Sequence, residues 1–162
     1  MFKKLILLLV TVALFFIESI FLTRFTWSGV TLPLTFAFGL TVAVVSDEWD
    51  TIFIALLTGF LADSYTNHLF GINMLLNLYV FLGLHFGKNY LRHEKNVLMA
   101  VVMGAAAFIR YGLLFALNQL TGQSGNFNRV PILAIMVLLA AIPLLILTRR
   151  LFKQHVRRNR LI

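Results

Sequence analysis

The chain has 162 residues, of which 60% are hydrophobic and 12% charged, with a mean hydropathy of +0.89. A soluble domain carries about 25% charged residues, and a globule this small leaves much of its chain outside, so a soluble fold is excluded and lipid is the solvent left for the apolar excess. The net charge of +8 sits mostly at the two ends and in one connection, as on membrane flanks rather than a nucleic-acid surface, and the absence of cysteine excludes disulfides, thiolate metal sites and cysteine nucleophiles.

The first apolar run, Leu5 to Leu22, follows Lys3 and Lys4. It exceeds the roughly 7–15 residues of a signal-peptide core, and no small-residue cleavage site follows it, which predicts a first spanning helix serving as an uncleaved anchor. Arg24, Trp27 and Gly29 interrupt it. A second helix is expected from Pro33, a residue suited to a first helical turn, to the cluster Asp47, Glu48, Trp49 and Asp50. The third, Thr51 to Thr66, is short against the roughly 20 residues a span requires and leaves a re-entrant course open. Asn67, His68 and Gly71 mark the next turn.

A fourth helix covers Ile72 to Phe86, and the charged connection Lys88 to Lys95 follows. Helix five runs from Val97 to Leu120. After a polar loop, Thr121 to Asn128, helix six runs from Pro131 to Leu147, with Pro143 predicting a kink. The expected organisation is an all-α, polytopic membrane bundle of about six transmembrane helices over residues 1–148 and a basic cytoplasmic tail over residues 149–162.

Positive charge orients such a bundle. With the N-terminus inside, eleven Lys and Arg fall on the inner side: Lys3, Lys4, Lys88, Arg92, Lys95 and six in the tail. Two fall outside, Arg24 and Arg129, while Arg110 lies within helix five. The expectation is a multi-pass membrane protein with both termini cytoplasmic. Its basic tail, Arg149, Arg150, Lys153, Arg157, Arg158 and Arg160, would be drawn to anionic lipid at about 1 kcal/mol per residue.

No catalytic pattern emerges. His68, His85, His93 and His155 are scattered, and neither a metal-ligand spacing, a phosphate loop nor a GxSxG element is present, so no enzyme, cofactor or metal is expected. Glu18, Asp63 and Arg110 fall within spans, where a charge costs several kcal/mol and requires a partner. Each lies 13 residues from the inner start of an outward-running helix, roughly 20 Å along it. The three are therefore expected at one depth, with Arg110 paired to Asp63, Glu18 or both, as a structural ion pair in preference to a ligand site. Asn73 and Asn77, four apart on one helix face, are expected to hydrogen-bond between helices. Gly83 and Gly87 form a GxxxG, echoed by Ala55–Gly59, Gly39–Ala43 and Ala100–Gly104. Most of these should pack within the bundle, leaving one or two open to a partner's helix.

The stretch Gly59-Phe60-Leu61-Ala62-Asp63, followed by Leu69-Phe70-Gly71-Ile72-Asn73-Met74-Leu75, resembles the central signature of the MreD family of bacterial rod shape-determining membrane proteins. Gly59, Asp63, Gly71 and Asn73 match it, and the basic ends and length follow the family's layout. The resemblance implies a fold similar to the substrate-capturing subunits of energy-coupling-factor transporters. It also implies a non-enzymatic scaffold of the peptidoglycan elongation machinery, working with an MreC-like bitopic protein and, through it, with MreB, RodA and a penicillin-binding transpeptidase. The alternative from another class is a small-solute-binding subunit of a membrane transporter, which would use the same charged centre. The polar loop Thr121 to Arg129 is the one polar outer segment, which favours the scaffold.

Overall fold

The computed structural model describes residues 2–20, 24, 30–65, 70–91, 96–122 and 126–158. They form six helices and, among the described residues, no β-strand: α1 (Phe2–Ile20), α2 (Leu34–Val45), α3 (Glu48–Tyr65), α4 (Ile72–Leu91), α5 (Asn96–Leu120) and α6 (Arg129–Arg158).

The shortest helix is the centre of the bundle. α2 packs against α1, α3, α4 and α6, and every residue from Thr35 to Val44 is buried. Its sequence, LTFAFGLTVAVV, is apolar on all sides, the pattern of a helix surrounded by others. Around it, α3 lies along α4 and α5 along α6. The outer faces of these helices are themselves apolar: Leu5, Leu9 and Phe16 on α1, Leu75, Tyr79 and Phe86 on α4, Ile109 and Leu113 on α5, and Ile135 and Leu139 on α6 are all exposed. Val97–Leu120 and Arg129–Arg149 are long and apolar enough to cross a membrane, while Leu34–Val45 and Ile72–Gly87 are apolar but shorter.

Polar contacts gather at one end of the bundle. Lys3 of α1 is ion-paired with Asp50 and lies 3.5 Å from Asp47, beside the start of α3. His85 Nδ1, towards the end of α4, lies 3.1 Å from Thr51 Oγ1 and 3.2 Å from the Ala43 carbonyl. The Arg149 guanidinium of α6 reaches Met99 Sδ of α5 at 2.8 Å. The start of α1 and Arg149 therefore lie at the same end of the bundle.

Several boundaries differ from the hydropathy reading. α1 begins at Phe2 and takes in both lysines. Pro33 is the residue before α2 rather than part of its first turn, with its carbonyl accepting the Ala37 N–H. α3 starts at Glu48, so Glu48 and Asp50 occupy its first turn, where the helix dipole favours negative charge. With 18 residues it is about 27 Å long. α6 continues through Pro143 to Arg158, well past Leu147. Hydropathy marks where apolar side chains stop, whereas a helix ends where its backbone hydrogen bonds do. Trp27, Gly29, Thr66, Asn67, His68, Arg92, His93, Lys95 and Arg160 lie outside the described residues, as do the side chains of Lys88, Arg150, Lys153, His155, Arg157 and Arg158.

Candidate functional site

The residues of the central signature build one junction between α3 and α4. Gly59 lies where the two helices cross, and a Cβ there would collide with the backbone N and Cα of Met74. Six residues past the end of α3 the chain turns at Gly71 with φ +99°, a conformation that disfavours any residue with a Cβ. That turn aims the first N–H groups of α4 back at α3. Asp63, 4% exposed, receives them: its carboxylate accepts from the backbone N–H of Gly71 (3.0 Å), Asn73 (3.1 Å) and Met74 (3.2 Å), and from the Asn73 side-chain amide (2.9 Å). A helix N-terminus leaves four such donors unpaired and carries a partial positive charge, so a carboxylate there is stabilised twice over.

Asn73 passes the connection on to α5. Its Oδ1 accepts from Arg110 Nη2 at 2.6 Å, while Arg110 Nε donates to Asn77 Oδ1 at 2.9 Å. Asn77 in turn donates through Nδ2 to Thr58 Oγ1 at 3.1 Å, closing a circuit through α3, α4 and α5. The Arg110 guanidinium is buried, 4.6 Å from the ring centroids of both Phe36 and Tyr111, which adds cation–π attraction from α2 and α5. Glu18 stands apart on α1, where it accepts the Thr35 N–H at the start of α2 at 2.9 Å.

The expected pairing of Arg110 with Asp63 or Glu18 is therefore corrected. Arg110 forms no ion pair with either carboxylate; it is bound by two neutral amide oxygens. The physical reason is that the four N–H donors surround the Asp63 carboxylate and the Asn73 side chain stands between it and the guanidinium. Of the three charges expected at one depth, Glu18 and Arg110 line one cavity of about 260 Å³ together with Asn73 and Asn77, and Asp63 is not among its lining residues. Phe15, Phe36, Thr58, Tyr65 and Tyr111 supply further parts of its wall.

Sequence reasoning missed Phe36, Thr58 and Tyr111. The spacing Thr58-x-x-x-x-Asp63 holds no helical repeat that would have marked Thr58, and Phe36 and Tyr111 read as ordinary core. Among the small-residue pairs, Gly39 meets Phe81 of α4 and Gly104 meets Leu138 of α6. Gly83 and Gly87 meet nothing within 4 Å and face outward from the bundle. Of the basic tail, Arg149 is placed against Met99, Arg150, Lys153, Arg157 and Arg158 extend α6, and Arg160 is outside the described residues. Among the described residues, no three His, Asp or Glu side chains gather as a metal site would require.

Compared with known proteins, residues 2–155 match the family model for the rod shape-determining protein MreD. No curated protein and no solved structure matches the chain. The match covers nearly the whole sequence. The chain belongs to the MreD family, a family of membrane proteins whose role is rod-shape determination.

Proposed function

We propose, from the premise that this is an MreD-family chain, that it is a six-span, non-enzymatic scaffold of the peptidoglycan elongation machinery in the bacterial cell membrane. Both termini face the cytoplasm, residues 1–148 form the membrane domain, and residues 149–162 form a tail attracted to anionic lipid. Its direct partner is an MreC-like protein with one membrane span, which connects it to MreB, RodA and a penicillin-binding transpeptidase.

The observation that carries this reading is where the family signature goes. Gly59, Asp63, Gly71 and Asn73 are taken up in joining α3 to α4 and positioning Arg110, with no nucleophile, acid–base pair or metal cluster among them. A family signature spent on packing suits a protein whose product is a rigid surface. The α4 face with Leu75, Tyr79, Gly83 and Phe86 is one such surface, since Gly83 and Gly87 leave room for a helix to approach.

Two experiments test it. Depletion in the native host should round or widen the cells and misplace wall synthesis, and a vitamin-dependent growth defect without a shape change would overturn the reading. Affinity purification of the chain should retain a single-span MreC-like protein. Gly83→Leu with Gly87→Leu should reduce that retention while leaving the bundle folded. Recovery of an ATPase module in place of the single-span partner would favour the transporter alternative.

A further inference from the structure

The junction does not use the cavity that lies beside it. Two opposite charges line this space without meeting: Glu18 from α1 and Arg110 from α5 form no ion pair with each other, although both face it. Among the described residues their direct contacts are neutral: a backbone N–H for Glu18, amide oxygens and two aromatic rings for Arg110. Asp63 does not touch the guanidinium directly, because the Asn73 side chain stands between them and bonds to both. Among the residues lining the cavity, Arg110 supplies a positive charge and Glu18 a negative one, and Asn73, Asn77, Thr58 and Tyr65 add polar groups.

We propose that this cavity binds a small zwitterion, with its anionic group on Arg110 and its ammonium group towards Glu18. The inference does not depend on the scaffold reading. A simple anion would satisfy Arg110 but be repelled by Glu18, and a simple cation would meet the opposite fate. A molecule carrying both charges brings no net charge into a partly desolvated site and gives each charge its partner. Phe15, Phe36 and Tyr111 provide apolar and cation–π surface beside those groups.

Size narrows the class. A volume of about 260 Å³ lies just below the roughly 300–1,000 Å³ of ordinary small-molecule sites, which admits an amino acid or a lipid headgroup and excludes a nucleotide. Two sources share the chemistry: a free α-amino acid, with a carboxylate on Arg110, and the phosphoethanolamine headgroup of a lipid, with a phosphate there.

Native mass spectrometry of the full chain released from detergent separates them. The probes are the twenty free L-amino acids, the carboxylic acid and amine that correspond to each hit, phosphatidylethanolamine and phosphatidylglycerol. A one-to-one amino-acid adduct identifies a soluble ligand, and retention of phosphatidylethanolamine over phosphatidylglycerol identifies the headgroup. In either case the singly charged analogue should bind at least about tenfold more weakly, the size of one charge-assisted hydrogen bond. Glu18→Gln, which keeps an acceptor for Thr35, should weaken binding to the same degree. Absence of any zwitterion adduct, equal binding of the singly charged analogues, or undiminished binding by Glu18→Gln would overturn the proposal. Should Glu18→Gln fail to fold, the analogue comparison on the unaltered chain decides.

Discussion

Replacing Asp63 by alanine removes the acceptor for four N–H groups at once, and the structure sets the size of the effect. The donors from the Asn73 backbone and side chain are buried, whereas those from Gly71 and Met74 are partly buried. An unpaired buried donor costs about 1–3 kcal/mol, so the two Asn73 groups alone put the loss at about 2–6 kcal/mol. A single side-chain hydrogen bond between membrane helices averages about 0.6 kcal/mol, which is the loss expected for Thr58→Val at the Asn77 contact. Reversible unfolding in mixed micelles measures both. The order should be Asp63→Ala, then Asp63→Asn at about half that loss, then Thr58→Val. The relay through Asn73 adds a second condition: a double-mutant cycle should find coupling between Asp63 and Arg110 that disappears in an Asn73→Ala background. The charge swap Asp63→Arg with Arg110→Asp should restore nothing, because an arginine at 63 cannot accept from the α4 amides. An Asp63→Ala loss below about 1 kcal/mol, no greater than that of Thr58→Val, or rescue by the swap would refute the junction as described.

Three further outcomes are expected. Gly59→Ala should destabilise the bundle by about 1–3 kcal/mol through overpacking against Met74, whereas Gly83→Ala and Gly87→Ala should stay within about 0.5 kcal/mol of the parent in the same unfolding assay. Lys3→Met should cost more than Asp47→Ala, for Asp50 is 8% exposed and loses its cation while the Asp47 side chain is 87% exposed; the loss should fall between the about 0–1 kcal/mol of a surface pair and the about 3–5 kcal/mol of a buried one. Because the chain has no cysteine, single cysteines report topology directly: in intact cells an impermeant maleimide should label Asn126→Cys and leave Asp47→Cys unlabelled, and the reverse pattern would invert the proposed orientation.

The six helices were largely legible because continuous apolar runs, interrupted by charge or glycine, survive any packing arrangement. Their ends were less so. The extension of α6 to Arg158 continues into a basic sequence that hydropathy reads as tail. That Glu18 and Arg110 face one cavity agrees with the count of residues along their helices, since rise per residue is fixed. Partnership did not follow, because depth along an axis says nothing of the direction a side chain faces around it. Three charges at one height suggest an ion pair; only the turn at Gly71, which directs four N–H groups at Asp63, reveals that one charge is already satisfied. The same limit concealed Thr58 and Phe36, whose roles arise from neighbours on other helices.

The Asp63–α4 junction also bears on how the chain enters a membrane during synthesis. α3 carries Glu48, Asp50 and Asp63 and falls outside the helices apolar enough to cross on their own. Its most deeply placed charge is answered by groups only eight to eleven residues downstream. The translocation machinery would therefore meet Asp63 as an expensive carboxylate until the start of α4 emerges, and as a satisfied one afterwards. Insertion of the two helices as a hairpin follows, and a reporter fused after Tyr65 should integrate poorly where one fused after Leu91 integrates well.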